Sequence, residues 1–194
     1  LTNVTLTANG ADGLFTNPGN IQVTVNNSPI TNNAGYPLNL HPGTSLVSTS
    51  GLTTSGNLTE VIAVRAATMS SGTWTLNALG LPYRLLGDVV IWAPSGAPPT
   101  LTLAPGITVE MSPGASLIIG ATFAGGGNSG PGALIAQGTA TNPITVTSAK
   151  PTKAPGDWGG IVLGAGTDPT LTVLAYCLLE YGGGAQLVKG FKPL

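Results

Sequence analysis

The stretch PTLTLAPGITVEMSPGASLIIG, residues 99 to 120, contains three short apolar runs separated by two Pro-Gly turns. The runs are Leu101 to Leu103, Ile107 to Met111 and Ser116 to Ile119, and the turns are Ala104-Pro105-Gly106 and Ser112-Pro113-Gly114. Leu, Ile, Val and Thr dominate the runs, as expected of strands, while Pro and Gly break the chain too often for a helix to form. The alternation places Leu101, Leu103, Ile107, Val109, Leu117 and Ile119 in one core, with Thr102, Thr108 and Glu110 facing out.

The same punctuation runs through the rest of the chain. Strand-like runs recur at 3–7, 21–25, 36–40, 44–49, 60–64, 87–92, 133–137, 143–148, 160–164 and 171–181. Asn17-Pro18-Gly19, Asn32-Asn33, Pro42-Gly43, residues 94–99 and GGGNSGPG at 125–132 lie between them. The best helical candidate, LTEVIAVRAATM, is rich in β-branched residues and reads as strand and loop. An antiparallel sandwich would join matched strands by two-residue Asn-Gly or Asp-Gly turns, and Asn9-Gly10 and Asp12-Gly13 do not sit between such strands. Irregular short strands with frequent corners suit an all-β fold, a single parallel β-helix of about seven to nine rungs, a rod roughly 35–45 Å long. Each corner returns the chain one rung higher, so equivalent strands pair and inward side chains stack.

Composition narrows the function. Of 194 residues, only 7% are charged, against roughly 25% in ordinary domains. The formal net charge is −1 and the six basic residues form no patch, which excludes an electrostatic footprint for nucleic acid. No apolar run reaches the ~18 residues of a membrane helix. A single cysteine, Cys177, excludes an internal disulfide framework, and alternation in LAYCLLEY places Cys177 and Leu179 inside. The chain opens at Leu1 without an initiator Met, which suggests a processed protein or part of a larger one. A surface of Thr, Ser, Asn and Gly points to the cell exterior.

Several segments resemble a cassette of bacterial surface and secreted proteins with right-handed, pectate-lyase-like β-helices. They are GTWTLNALGLPYRLLGDVVIWAPSGAPPTLTLAPGITVEMSPGASLIIG (72–120), GALIAQGTATNPITVTSAKPTKAPGDWGGIVLG (132–164) and LTVLAYCLLEYGGG (171–184). NNSPITNNAGYPLNL (26–40) resembles closing rungs of that cassette. The resemblance implies one continuous right-handed β-helix over 1–194, with 1–71 as closing rungs of one cassette and 72–194 as opening rungs of the next.

The superfold also hosts polysaccharide lyases and hydrolases, whose sites gather carboxylates for Ca²⁺ or for acid and base roles. The seven acids here, Asp12, Glu60, Asp88, Glu110, Asp157, Asp168 and Glu180, are dispersed, although stacking can bring Asp88 towards Glu110. The Asp-Asp, Gly-His-Gly and Arg-x-Lys patterns of those enzymes are absent, and His41 in LHPG reads as a solvent-facing corner residue. The expectation is a protein that is not an enzyme, with no catalytic residue, no metal and no cofactor. GGGNSGPG lacks the Lys-Ser or Lys-Thr and the helix of a phosphate loop. Trp74, Trp92 and Trp158 read as corner or end anchors rather than sugar platforms, and Asn26, Asn27, Asn32 and Asn33 as corner ladders. Sequons occur at Asn3, Asn26 and Asn57.

Three functions compete: a self-assembling structural protein forming a filament or stalk segment, a carbohydrate-binding surface module, and a degraded polysaccharide-processing enzyme. The first is favoured. LTNVTLT at one end and GGGAQLVKGFKPL at the other both alternate, and LEYGGG would be followed in cassette order by a rung like LTNVTLT. The partner is then the chain itself, head to tail, with Leu1, Val4, Leu6, Leu187, Phe191 and Leu194 at the contact and glycans as the alternative partner. A heterologous contact of this kind does not close and gives a filament.

Overall fold

The computed structural model describes residues 1–120 and 130–184, and in them the chain winds as a parallel β-helix. The first turn carries β1 (Leu6–Thr7), β2 (Leu14–Phe15) and β3 (Gln22–Thr24). The second carries β4 (Pro29–Thr31), β5 (Leu38–Leu40) and β6 (Ser45–Ser48). The third carries β7 (Thr53–Ser55), β8 (Ile62–Val64) and β9 (Ala67–Met69), then passes into β10 (Thr73–Leu76). Next come β11 (Tyr83–Leu85), β12 (Val89–Ile91) and β13 (Thr100–Leu103), then β14 (Thr108–Met111), β15 (Ser116–Ile119) and β16 (Ala133–Gln137). The last described strands are β17 (Ile144–Ser148), β18 (Gly160–Leu163), β19 (Val173–Ala175) and β20 (Cys177–Leu179).

Every described strand pair is parallel. One seven-stranded sheet, β2-β5-β8-β11-β14-β17-β20, runs from first turn to last and forms the spine. Its register stacks Leu14, Leu38, Ile62, Tyr83, Val109, Val146 and Leu179 in one inward ladder. Leu40, Val64, Leu85 and Met111 form a second ladder beside it. Burying such rows on a narrow axis makes the core continuous, and most of these side chains are fully buried. All six core positions expected in 99–120 lie inside, while Thr102, Thr108 and Glu110 are half-exposed.

The other sides change partway along. Sheets β1-β4-β7 and β3-β6 flank the first turns, whereas β9-β12-β15-β18 and β10-β13-β16-β19 flank the later ones. β10 sits over β6: Thr75 N donates to Ser45 Oγ at 3.0 Å, and Asn77 Nδ2 to Leu46 O at 2.8 Å. The β7 side therefore ends, and β9 opens a new side between the spine and the β10 sheet.

The Pro-Gly turns are corners, as their sequence implies. Gly106 and Gly114 adopt φ of 81° and 74°, a left-handed conformation that a Cβ disfavours. In the first turns the repeat is regular, 24 residues, and the corners form columns. Asn3, Asn27 and Gly51 share one left-handed corner, and Ala8, Asn32 and Gly56 share another. Asn supplies that conformation at little strain, so the expectation for Asn27 and Asn32 as corner residues holds.

The ladder of side-chain amides runs through Asn9, Asn33 and Asn57, of which only Asn33 is among the four expected positions. Asn9 Nδ2 donates to Asn33 Oδ1 at 2.7 Å, and Asn33 Nδ2 to Asn57 Oδ1 at 2.8 Å. Asn57 closes the ladder by donating to both oxygens of Glu60. The 24-residue spacing of NVTLTANG, NSPITNNA and GLTTSGNL is the sequence signal for it.

Candidate functional site

Two regions compete for function: the polar outer face of the spine, and the first and last turns. On the outer face, register stacks Phe15, Asn39, Ala63, Arg84, Glu110 and Thr147 in one row. Arg84 and Glu110 pair through Nε at 2.9 Å and Nη2 at 2.6 Å, with about a fifth of each side chain exposed. A shallow cleft of roughly 300 Å³ lies beside Glu110, lined by Ala78 to Pro82 and Gly106 to Thr108. Among the described residues, no other acid lines it.

Each of the seven carboxylates holds a corner or a rung. Asp12 accepts from Tyr36 N and Asn39 Nδ2, and Glu60 from Asn57. Asp88 accepts from Ser116 N at 2.7 Å, away from Glu110, which Arg84 holds. Asp168 closes a turn by accepting from Thr170 and Leu171, which lowers its pKa. Glu180 accepts from Thr147 Oγ1, whose oxygen also receives Lys153 Nζ. Among the described residues no three of His, Cys, Asp and Glu gather as metal ligands.

Asp157-Trp158 is the most constrained of these motifs. Asp157 is almost wholly buried and accepts from Lys150 Nζ at 2.7 Å and Ala154 N at 2.9 Å. The Lys150 bond, helped by the Ala154 and Ser148 donors, lowers its pKa to about 2. Trp158 is 2% exposed and donates Nε1–H to Glu180 O at 2.7 Å. Gly182 lies against its ring, where a Cβ would come within 3.2 Å, so Trp158 fastens the EYGGG segment to the core. Trp74 is equally buried and donates to Thr44 O. Trp92 is half-buried against the outward-facing Val90, Ile118 and Val162. The tryptophans thus anchor corners and packing, and Trp158 offers no face to a sugar. His41 corrects the solvent-facing expectation: it is half-buried at its corner, with Nδ1 2.8 Å from Pro42 O.

Of the sequons, Asn57 engages its amide in the ladder and the Ser28 hydroxyl at Asn26 is fully buried, so Asn3 is the exposed one.

At the first turn Leu1 is 42% exposed, while Val4 and Leu6 are half-buried. Leu6 pairs with Ile30 and packs on the core, and Val4 N donates to Ser28 Oγ. The outer edges of β1, β2 and β3 pair with no strand among the described residues. The last turn exposes Leu163, Leu171, Leu174, Tyr176, Leu178 and Leu179. Leu179 departs from the buried position that alternation gives it. It points inward above Val146, yet is 48% exposed because no described strand stacks on it. Cys177 is half-buried, its Sγ donating to Ala136 O and Ala175 O, and burial pushes its pKa up. Leu187, Phe191 and Leu194 lie outside the described residues.

No described helix is long and apolar enough to cross a membrane. No curated protein and no solved structure matches the chain. A family described as pectate-lyase like beta helix domain matches residues 67–185, from β9 through the Trp158 anchor and the EYGGG segment. The match covers well over half of the sequence and includes the strands that build the later turns, and the chain belongs to that family of parallel β-helices.

Proposed function

We propose that this chain is a non-catalytic structural segment of a secreted or cell-surface protein, and that it self-associates head to tail into a filament or stalk. The observation that carries this reading is the pair of open terminal turns. Each presents strand edges without a partner among the described residues, together with exposed aliphatic side chains. Unpaired edges backed by apolar surface favour addition of another strand layer. A β-helix has parallel strands throughout, so a second copy stacked on the axis continues the spine ladder in the right direction.

The low charge supports the structural reading, because few repulsive groups oppose close stacking. The carboxylates support it too, since each is engaged by a corner or rung. The carbohydrate-binding alternative loses its aromatic platform with Trp158 in the core.

Light scattering across a concentration series, with negative-stain microscopy, tests the proposal. Mass rising with concentration and rods longer than one chain are expected. A strictly monomeric chain at the highest soluble concentration would overturn it. Turnover of pectin or alginate by the purified chain would overturn the non-catalytic part.

A further inference from the structure

The geometry points to one register for the contact between copies: β2 of one copy pairs with β20 of the next, with Leu14 over Leu179 and Phe15 over Glu180. This rests on the head-to-tail reading above and goes beyond it by naming the residues that meet.

Among the described residues the spine sheet runs from β2 to β20, and translation of a second copy along the axis lays these strands parallel. Leu14 points inward opposite Leu38, and Leu179 points inward opposite Val146. Placing inward on inward confines the contact to even shifts, because a one-residue slip would turn Leu179 out and Glu180 in.

Charge chooses among the even shifts. Arg65 leans down from the third turn and puts its guanidinium 3.9 Å from the centre of the Phe15 ring, with Nη2 donating to Thr16 O. Its Nε is buried and makes no hydrogen bond. The ion pairs of the described residues are Arg84–Glu110 and Lys150–Asp157, so neither Arg65 nor Glu180 makes an ion pair there, and Lys153 reaches Glu180 only through the Thr147 hydroxyl. Glu180 continues the outward row above Thr147 at the far end of the spine. Phe15 over Glu180 brings this carboxylate to the Arg65 guanidinium, pairing a cation without an ion pair at one end with an anion without one at the other. Shifts of two residues in either direction separate them.

The test uses the full chain carrying Arg65→Lys, which keeps the charge and supplies an amine. Chains labelled with ¹⁵N are mixed with unlabelled ones and treated with a water-soluble carbodiimide. The reagent activates the Glu180 carboxylate, the introduced side-chain amine attacks it to form an amide, and the carbodiimide leaves as its urea. A mixed-isotope peptide joining positions 65 and 180 is expected, because within one molecule these positions lie at β8 and β20, far apart in the order of the spine. Assembly without that peptide overturns the register and leaves head-to-tail association standing. Absence of wild-type association overturns both. A second measurement guards against a folding defect in the Arg65→Lys chain. Glu180→Lys and Arg65→Glu chains should each associate about tenfold more weakly than wild type, and their equimolar mixture should recover association. No recovery in chains whose melting matches wild type also overturns the register.

Discussion

Replacing Asn33 by Ala removes the middle of the amide ladder, and the structure fixes how much should be lost. Asn33 is 2% exposed. Its Oδ1 accepts from Asn9 N at 3.1 Å and Asn9 Nδ2 at 2.7 Å, and its Nδ2 donates to Asn57 Oδ1 at 2.8 Å and Leu6 O at 3.3 Å. Alanine deletes all four bonds and leaves Leu6 O short of a donor near the core. At about 1 kcal/mol net for each of the stronger bonds, the loss is roughly 2–4 kcal/mol. Asn9 lies at the exposed end of the ladder, and its side chain makes one of these bonds. Asn9→Ala should therefore cost only about 0.5–1 kcal/mol. Solenoids unfold by neighbouring repeats rather than all at once, so hydrogen exchange read by mass spectrometry suits the comparison better than one melting temperature. Peptides covering β1, β4 and β7 should lose protection in Asn33→Ala while those covering β13 to β17 keep it. Equal effects of the two variants, or a loss spread evenly along the coil, would refute the ladder as the element that holds the first turns together.

Val109 is 2% exposed and stacked between Tyr83 and Val146, so Val109→Ala should destabilise the middle turns by about 2–3 kcal/mol in denaturant titration. A change below about 1 kcal/mol would mean the site collapses around the void. Ala8 holds φ of 55° where the next two turns place Asn32 and Gly56. Ala8→Asn should stabilise the first turn by about 0.5–1 kcal/mol, seen as slower exchange at β1 and β4, and destabilisation would contradict the strain. Asp157 has its pKa lowered to about 2 by Lys150, so its contribution is present above the unfolded value near 4 and lost as pH falls through 2. Asp157→Asn should flatten the acid limb of stability between about pH 4 and 2, and an unchanged limb would show that other carboxylates govern it.

The sequence alone was enough for the architecture, because a β-helix is read locally. Alternation sets which side chain faces in, and the Pro-Gly corners of 99–120 set where each strand stops. The six core residues of that stretch and the strand-like LTEVIAVRAATM segment follow from those rules. Their stacking partners do not, because register joins residues that are 21 or more positions apart. Asn33 was legible as a corner residue, whereas its place between Asn9 and Asn57 emerges only when turns are superimposed. Trp158 shows the same limit. Beside Asp157 in a Gly-rich segment it reads as an anchor with a sugar platform as the alternative, and only the folded chain shows its ring turned inward to Glu180 O. Leu179 marks the opposite case: alternation gives its direction correctly, but exposure depends on whether a further rung lies above it. Direction is a property of the strand, while burial is a property of the neighbours that tertiary structure supplies.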